Sequence, residues 1–412
     1  MDGPTILGAI RLFVALLGVA AIVAIVARPI RLPYSVALVL VGLLAGAGAT
    51  LVGLGEPPRI APEIVLAVLL PGLVFEAAYR LEIGQLRRSA GSLALLAVPG
   101  VVISAAVVAL FLNVATGLRL DLAFIVGAMV SATDPVAVVS TFRRLRVPPG
   151  LATVVEGESL LNDGTGLVIF AIALQALAQP VGPVEALVTF AASISISALI
   201  GLATGFLAAR LMSLVDDHLV ELTISLVLAY GTYLLADAIH ASGIIATVVA
   251  AVVLGNYGRP RTISQPGIDA LDTVWEFLAY LLTAIVFLLV GLAIPPARLL
   301  DSAVWIGWGV VGALVGRAIV VYVMLRLAVR WLPLDGSPAA LPPGWYHVLF
   351  WSGLRGAVAV AAALALPVDV PQRDLLQGVT FGIVLFTLLV QGTTAGLVVR
   401  RSVAATETES EP

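Results

Sequence analysis

Long unbroken apolar runs, rather than an alternation of apolar and polar residues, dominate this chain. A helix that crosses a bilayer needs about 20 mostly apolar residues. Thirteen segments fit that pattern: 5–27, 34–54, 60–79, 90–112, 121–141, 151–178, 185–210, 219–239, 241–257, 270–294, 303–331, 345–366 and 376–399. The ninth is short and rich in Gly and Ala. The connections are mostly short and carry Pro, Gly or Arg, and none is long enough for an added soluble domain. The pattern predicts an all-α polytopic membrane protein of about 13 transmembrane helices, a single transmembrane unit over residues 1–401 with 402–412 as a short polar tail.

Composition agrees. Hydrophobic residues make up 60% of the 412 and charged residues 11%, against about 25% charged in a soluble domain. There is no Cys, which excludes disulfides and thiolate metal sites. A net charge of -3 without a basic run excludes a nucleic-acid partner. The first run does not read as a cleaved signal peptide, because Asp2 is the only charge ahead of it and it is long enough to span.

All 22 basic residues are Arg. The loops after spans 1, 3, 5, 7, 9 and 11, with the C-terminal tail, hold fifteen: Arg28, Arg31, Arg80, Arg87, Arg88, Arg143, Arg144, Arg146, Arg210, Arg259, Arg261, Arg326, Arg330, Arg400 and Arg401. The opposite loops hold four: Arg59, Arg119, Arg298 and Arg373. Basic residues favour the cytoplasmic side. The N-terminus is therefore expected outside and the C-terminus in the cytoplasm, in the inner (plasma) membrane, with an odd number of spans. Arg11 lies near a span end, where a long side chain reaches the interface. Arg317 and Arg355 lie mid-span.

A charge at the bilayer centre costs several kcal/mol unless it faces a partner or water. The central acids fall in two neighbouring spans: Asp134 in SATDPVAV, and Glu156, Glu158 and Asp163 in VVEGESLLNDGTG. Ser159 and Asp163 are four apart and share a helix face, as do Glu158 and Asn162. Structural ion pairs are the plain reading. Yet Asp134, Glu158 and Asp163 face only Arg317 and Arg355 as central partners, so three acids against two bases leave one carboxylate over. Removal from water favours the neutral form of a carboxyl, so the odd acid can exchange a proton for a small cation. Hard monovalent cations such as Na⁺ or Li⁺ take oxygen ligands, and Asp163, Thr133, Ser159 and a backbone carbonyl supply them. Asp163 is the candidate exchanging group, and Asn162 reads as a residue that orients the assembly.

Spans 5 and 12 also match each other. Ser131-Ala132-Thr133-Asp134-Pro135 and Ser352-Gly353-Leu354-Arg355-Gly356 each carry Ser, a charge three residues on, then a helix breaker. Transporters built from inverted repeats place paired broken helices at the substrate site. Two unwound crossing helices are expected here, with Asp134 offsetting positive N-terminal ends and Arg355 negative C-terminal ends. Two ordinary kinks are the alternative.

The stretch GAMVSATDPVAVVSTFRRLRVPPGLATVVEGESLLNDGTGLVIF resembles the core of the monovalent cation:proton antiporter-1 family, the bacterial and archaeal relatives of animal sodium/proton exchangers. RLPYSVALVLVGLLAG, LPGLVFEAAYRLE, SGIIATVVAAVVLGNYG, VWEFLAYLLTAIVFLLVGL, GRAIVVY and GLRGAVAVAAALALP resemble further spans in order, so the likeness covers roughly residues 5–400. It implies the Na⁺/H⁺ antiporter fold: core helices at approximately 90–178 and 270–366, excluding an interdomain span, with the remaining helices as a dimerisation scaffold. It implies secondary active exchange of Na⁺ or Li⁺ for H⁺ by alternating access, usually as a homodimer, with no cofactor and no enzymatic activity. It maps the ion-binding carboxylate onto Asp163, supporting ligands onto Thr133 and Ser159, and the crossover acid onto Asp134. Glu158 falls at an acid paired with a core Arg, for which Arg317 and Arg355 both remain candidates. Glu156 lies outside these positions, facing the entrance or structural. Thr283 stands where many members have Asn.

Electrogenic relatives carry two adjacent Asp and a core Lys. Here the pair is Asn162-Asp163, there is no Lys, and Arg stays protonated. One free carboxylate implies one Na⁺ for one H⁺ without net charge movement. K⁺/H⁺ antiport on the same fold is the alternative, with a passive cation channel behind it. An acid-rich centre disfavours organic anions. An intramembrane metalloprotease needs His-Glu-x-x-His, and His218, His240 and His347 do not have that spacing; they read as interface residues. Glu76 and Arg80, one turn apart, read as a local structural pair.

Overall fold

A computed structural model describes residues 6–30, 32–51, 61–145, 147–331 and 342–408. Arg31, Arg59 and Arg146 of the charge count, and tail residues 409–412, lie outside the described residues. Among the described residues there is helix and no strand.

Thirteen helical passes follow in order: α1 (Ile6–Ile30), α2 (Tyr34–Leu51), α3 (Ile64–Tyr79), α4 (Ala90–Thr116), α5 in two halves (Leu120–Met129 and Val136–Leu145), α6 (Pro149–Ala178), α7 (Pro183–Met212), α8 (His218–Asp237), α9 (Gly243–Gly258), α10 (Gln265–Leu292), α11 (303–331), α12 in two halves (Pro343–Trp351 and Ala357–Leu364) and α13 (373–408). Among the described residues, seven are long and apolar enough to cross a membrane unaided.

The helix starts follow local chemistry. Asp217, Ser242 and Ser264 cap α8, α9 and α10 by accepting from Leu219 N (2.8 Å), Ile245 N (3.3 Å) and Gly267 N (3.1 Å), satisfying amides that lack an intrahelical acceptor. Pro149 and Pro183 open α6 and α7, where proline's missing N–H costs nothing. α13 departs from expectation. It runs on as helix through Thr408, so the tail expected from residue 402 begins as a continuation of the last span. Ser402 there is buried, and its carbonyl packs at Gly344 at the start of α12.

The helices sort into two packing groups. α4, α5, α6, α11, α12 and α13 pack on one another, and α1, α2, α3, α7, α8, α9 and α10 form the other group. The expected core segments were 90–178 and 270–366; in the packing α13 rests on α11, α12 and α5, and α10 rests on α2 and α3. In the second group α2 and α10 approach closely. A Cβ at Gly291 would lie 2.8 Å from Leu43 N and 2.9 Å from Gly42 Cα, so only glycine fits. Across the seam between the groups α6 meets α7, α9 and α3, α12 meets α3 and α10, and α2 meets α5 and α13.

Candidate functional site

Both interrupted helices break where backbone donors are removed or glycine is present. Pro135 ends the break in α5 and cannot donate; Gly353 and Gly356 flank Arg355 in α12. The two breaks cross and bond: Asp134 N donates to Leu354 O at 2.7 Å. The crossing is tight. A Cβ at Gly356 would lie 2.5 Å from the Asp134 Cβ.

The broken ends leave unpaired backbone groups that helices otherwise satisfy. The Asp134 carboxylate accepts from Val136 N at 3.0 Å and faces the Ala357 amide, the first residues of the two second half-helices. A carboxylate thus sits between two positive N-terminal ends. Arg355 lies at the opposite pole. Its Nη1 donates to Ser131 O at 2.5 Å and Ala132 O at 3.2 Å, just past the C-terminal end of the first half of α5. Its own amide donates to Thr387 Oγ1 at 3.0 Å, within a π-helical turn of α13.

Arg317 takes Glu158. The two form a bidentate pair, Arg317 Nη1 to one carboxylate oxygen and Nη2 to the other at 2.9 Å. Arg317 also donates from Nε and Nη2 to Leu349 O at 3.2 and 2.7 Å. Only 2% of Glu158 and 5% of Arg317 is exposed. The count of three acids against two bases therefore changes. Arg355 pairs with carbonyls, not with a carboxylate, and among the described residues two central acids lack a guanidinium. Asp134 is compensated by backbone amides.

Asp163 is the other. Among the described residues no hydrogen bond or ion pair reaches its carboxylate, and the like charge of Asp134 acts on it. It is half-buried and lines a cavity of about 500 Å³. Oxygen-bearing side chains meet beside it. Ser159 Oγ donates to Thr133 O and lies 3.3 Å from Thr133 Oγ1. Asn162 uses both ends of its amide on Thr133: Oδ1 accepts from Thr133 N (3.0 Å) and Nδ2 donates to Thr133 Oγ1 (2.7 Å). Asn162 thereby holds the unwound strand of α5 against α6 and leaves Thr133 and Ser159 on the cavity wall.

The same cavity brings together residues that periodicity left apart. Glu156, Glu76, Arg80, Glu276 and Thr283 all line it. Arg80 does bond Glu76, one turn away, with Nε 2.5 Å from a carboxylate oxygen, but the pair stands in the cavity wall. Thr387, Leu349 O and Glu276 carry no sequence signal that would have marked them. Thr387 sits in an apolar run, the second is a backbone atom, and Glu276 lies more than a hundred residues from Asp163 in sequence.

The sodium/hydrogen exchanger transmembrane family model matches residues 16–401. The chain is 36% identical over 376 residues to the Na⁺/H⁺ antiporter ApNhaP of Aphanothece halophytica, covering 90% of this chain and 70% of the relative. It is 34% identical over 401 residues to the Na⁺/H⁺ antiporter NhaH of Halobacillus dabanensis, covering 92% and 94%. Its fold matches that of the sodium proton antiporter MjNhaP1 of Methanocaldococcus jannaschii with a TM-score of 0.75 at 20% identity, over 96% of this chain and 98% of the other.

Proposed function

The chain belongs to the sodium/hydrogen exchanger family, and from that premise we propose that it exchanges Na⁺ or Li⁺ for H⁺ across a prokaryotic plasma membrane at Asp163. One observation carries the assignment of the site. Asp163 lines the cavity and, among the described residues, has no bonding partner, while the other two central carboxylates are engaged, Glu158 by Arg317 and Asp134 by helix N-termini. A carboxylate can hold a proton or share in the oxygen shell of a cation, and Thr133 and Ser159 supply neutral oxygens beside it. Asn162 and the Glu158–Arg317 pair position these groups without touching the ion.

Stoichiometry follows from charge. Asn162 is neutral, Arg317 and Arg355 do not deprotonate, and one exchanging carboxylate carries one Na⁺ or one H⁺ per cycle. The Arg distribution supports an outside N-terminus and a cytoplasmic C-terminus. On that orientation the cavity mouth, at Arg80 and the exposed Glu276, opens to the cytoplasm, and the conformer faces inward. The two packing groups are the units of alternating access. The group holding Asp163 moves against the group holding α3 and α10. Large exposed apolar side chains on α1 and α7, among them Val14, Ile25, Val184 and Leu187, supply surface for lipid and for a second copy.

The test is dissipation of a pH gradient in proteoliposomes on addition of Na⁺, Li⁺ or K⁺, for the wild type and Asp163→Asn. A saturable Na⁺ and Li⁺ response that Asp163→Asn abolishes is expected. A response that survives the substitution removes the site, and one elicited by K⁺ alone moves the reading to K⁺/H⁺ exchange.

A further inference from the structure

The cavity holds a cation of its own at the rim. Among the described residues its walls carry five carboxylates (Asp134, Asp163, Glu76, Glu156 and Glu276) and one guanidinium, that of Arg80. A wall so acidic concentrates small cations, and a fixed guanidinium in it opposes that effect.

The placement of Arg80 is specific. Its Nε is held by Glu76 at 2.5 Å. Its far end is loosely held: Nη2 lies 3.4 Å from Asp272 O and 3.6 Å from Glu276 Oε2, beyond the range of strong bonds. Asp272 does not neutralise it, because both carboxylate oxygens of Asp272 are taken by Arg259 at 3.0 and 2.7 Å. A third of Arg80 is exposed, so its charge stands at the solvent-facing end of the cavity. α3 and α10 lie in the same packing group, and the guanidinium stays at the rim while α6 carries Asp163.

We propose that Arg80 is a tethered cation that competes with the incoming ion at the cavity mouth, and so sets the apparent affinity for Na⁺ from outside the ion site. The inference rests on the exchange reading above. A purely structural Glu76–Arg80 pair, the ordinary role of an i,i+4 pair, would affect folding but not the ionic-strength dependence of transport. A competing charge is screened by salt over about 8 Å at physiological ionic strength.

The experiment measures KM for Na⁺ in proteoliposomes at low ionic strength and again with added choline chloride, for the wild type, Arg80→Gln, Arg80→Lys and Glu276→Gln. Exchange by the wild type, abolished in Asp163→Asn, is established first. Arg80→Gln is expected to lower KM by about two- to fivefold at low ionic strength, the range of an exposed charge pair, and the difference closes as choline chloride is added. Glu276→Gln shifts KM the other way, and Arg80→Lys restores the wild-type salt dependence. If Arg80→Gln does not fold, the opposite shift in Glu276→Gln and the retained salt dependence in Arg80→Lys still decide. Shifts of the same sign in the Arg80→Gln and Glu276→Gln variants, or shifts that persist in high salt, overturn the competitor role. A wild type without exchange removes the function itself; a wild type that exchanges while these variants fall out of order removes this inference alone.

Discussion

Replacing Glu158 with Gln leaves Arg317 charged in a dry interior. The guanidinium is 5% exposed, donates two bonds to Glu158, and sends the rest of its fork to Leu349 O at 3.2 and 2.7 Å. Gln keeps the volume and one acceptor but removes the counter-charge. Breaking a buried pair from one side costs about 3–5 kcal/mol, since among the described residues Glu158 is the one carboxylate that bonds the desolvated cation. Arg355, the other central base, adds like charge nearby. Removing both charges is a different matter. Glu158→Met with Arg317→Met leaves no orphaned ion, and such replacements are often neutral or stabilising; here it strands only the Leu349 carbonyl, at about 1–3 kcal/mol. The order of stability is therefore wild type, then the double variant, then Glu158→Gln. Reversible unfolding by SDS titration in mixed micelles measures it. A Glu158→Gln variant within about 1 kcal/mol of the wild type would refute the claim that this pair is desolvated and unshared, as would a double variant less stable than the single one.

The other predictions address the crossing and the exchange. Gly356→Ala pushes a Cβ onto the Asp134 side chain and is expected to abolish pH-gradient dissipation while the protein still inserts, as membrane fractionation would show. Thr387→Val removes the acceptor for the Arg355 amide and should cost about 1–3 kcal/mol in the same micelle titration, whereas Thr387→Ser should retain most of the stability. Ser159→Ala or Thr133→Val should raise KM for Na⁺ more than it lowers the maximal rate, because each removes a neutral oxygen beside Asp163; an unchanged KM in both would exclude them as ligands. Exchange rates should not respond to a valinomycin-imposed K⁺ potential of either sign. A rate that follows the potential would show that more than one charge exchanges per cycle.

The spans were legible because the bilayer imposes a length rule on each run separately. All thirteen fall where apolar runs predicted them, and Pro135, Gly353 and Gly356 marked both breaks. What the chain alone left open depends on which helices touch. Arg317 and Arg355 look alike in sequence, each a guanidinium in the middle of an apolar run. The packing of α11 on α4 and of α4 on α6 brings Arg317 to Glu158, 159 residues away, while Arg355 reaches across to the carbonyls of α5. Counting acids against bases left open how Asp134 and Arg355 are met; the paired breaks pointed to helix ends, and backbone groups are their partners. Helix ends bear partial charges, and at the crossing they take the place of one acid and one base. Arg80 shows the converse limit. Helical spacing correctly paired it with Glu76, but nothing local revealed that this pair stands in the wall of a cavity shared with Asp163.

The hydrogen bond from Asp134 N to Leu354 O makes residues 131–135 and 352–356 one part supplied by two distant stretches of chain. Neither stretch has a shape of its own to hand on. A chimera with a related protein that swaps one stretch and keeps the other divides a single joint between two parents. Grafts made at both stretches together keep that joint whole.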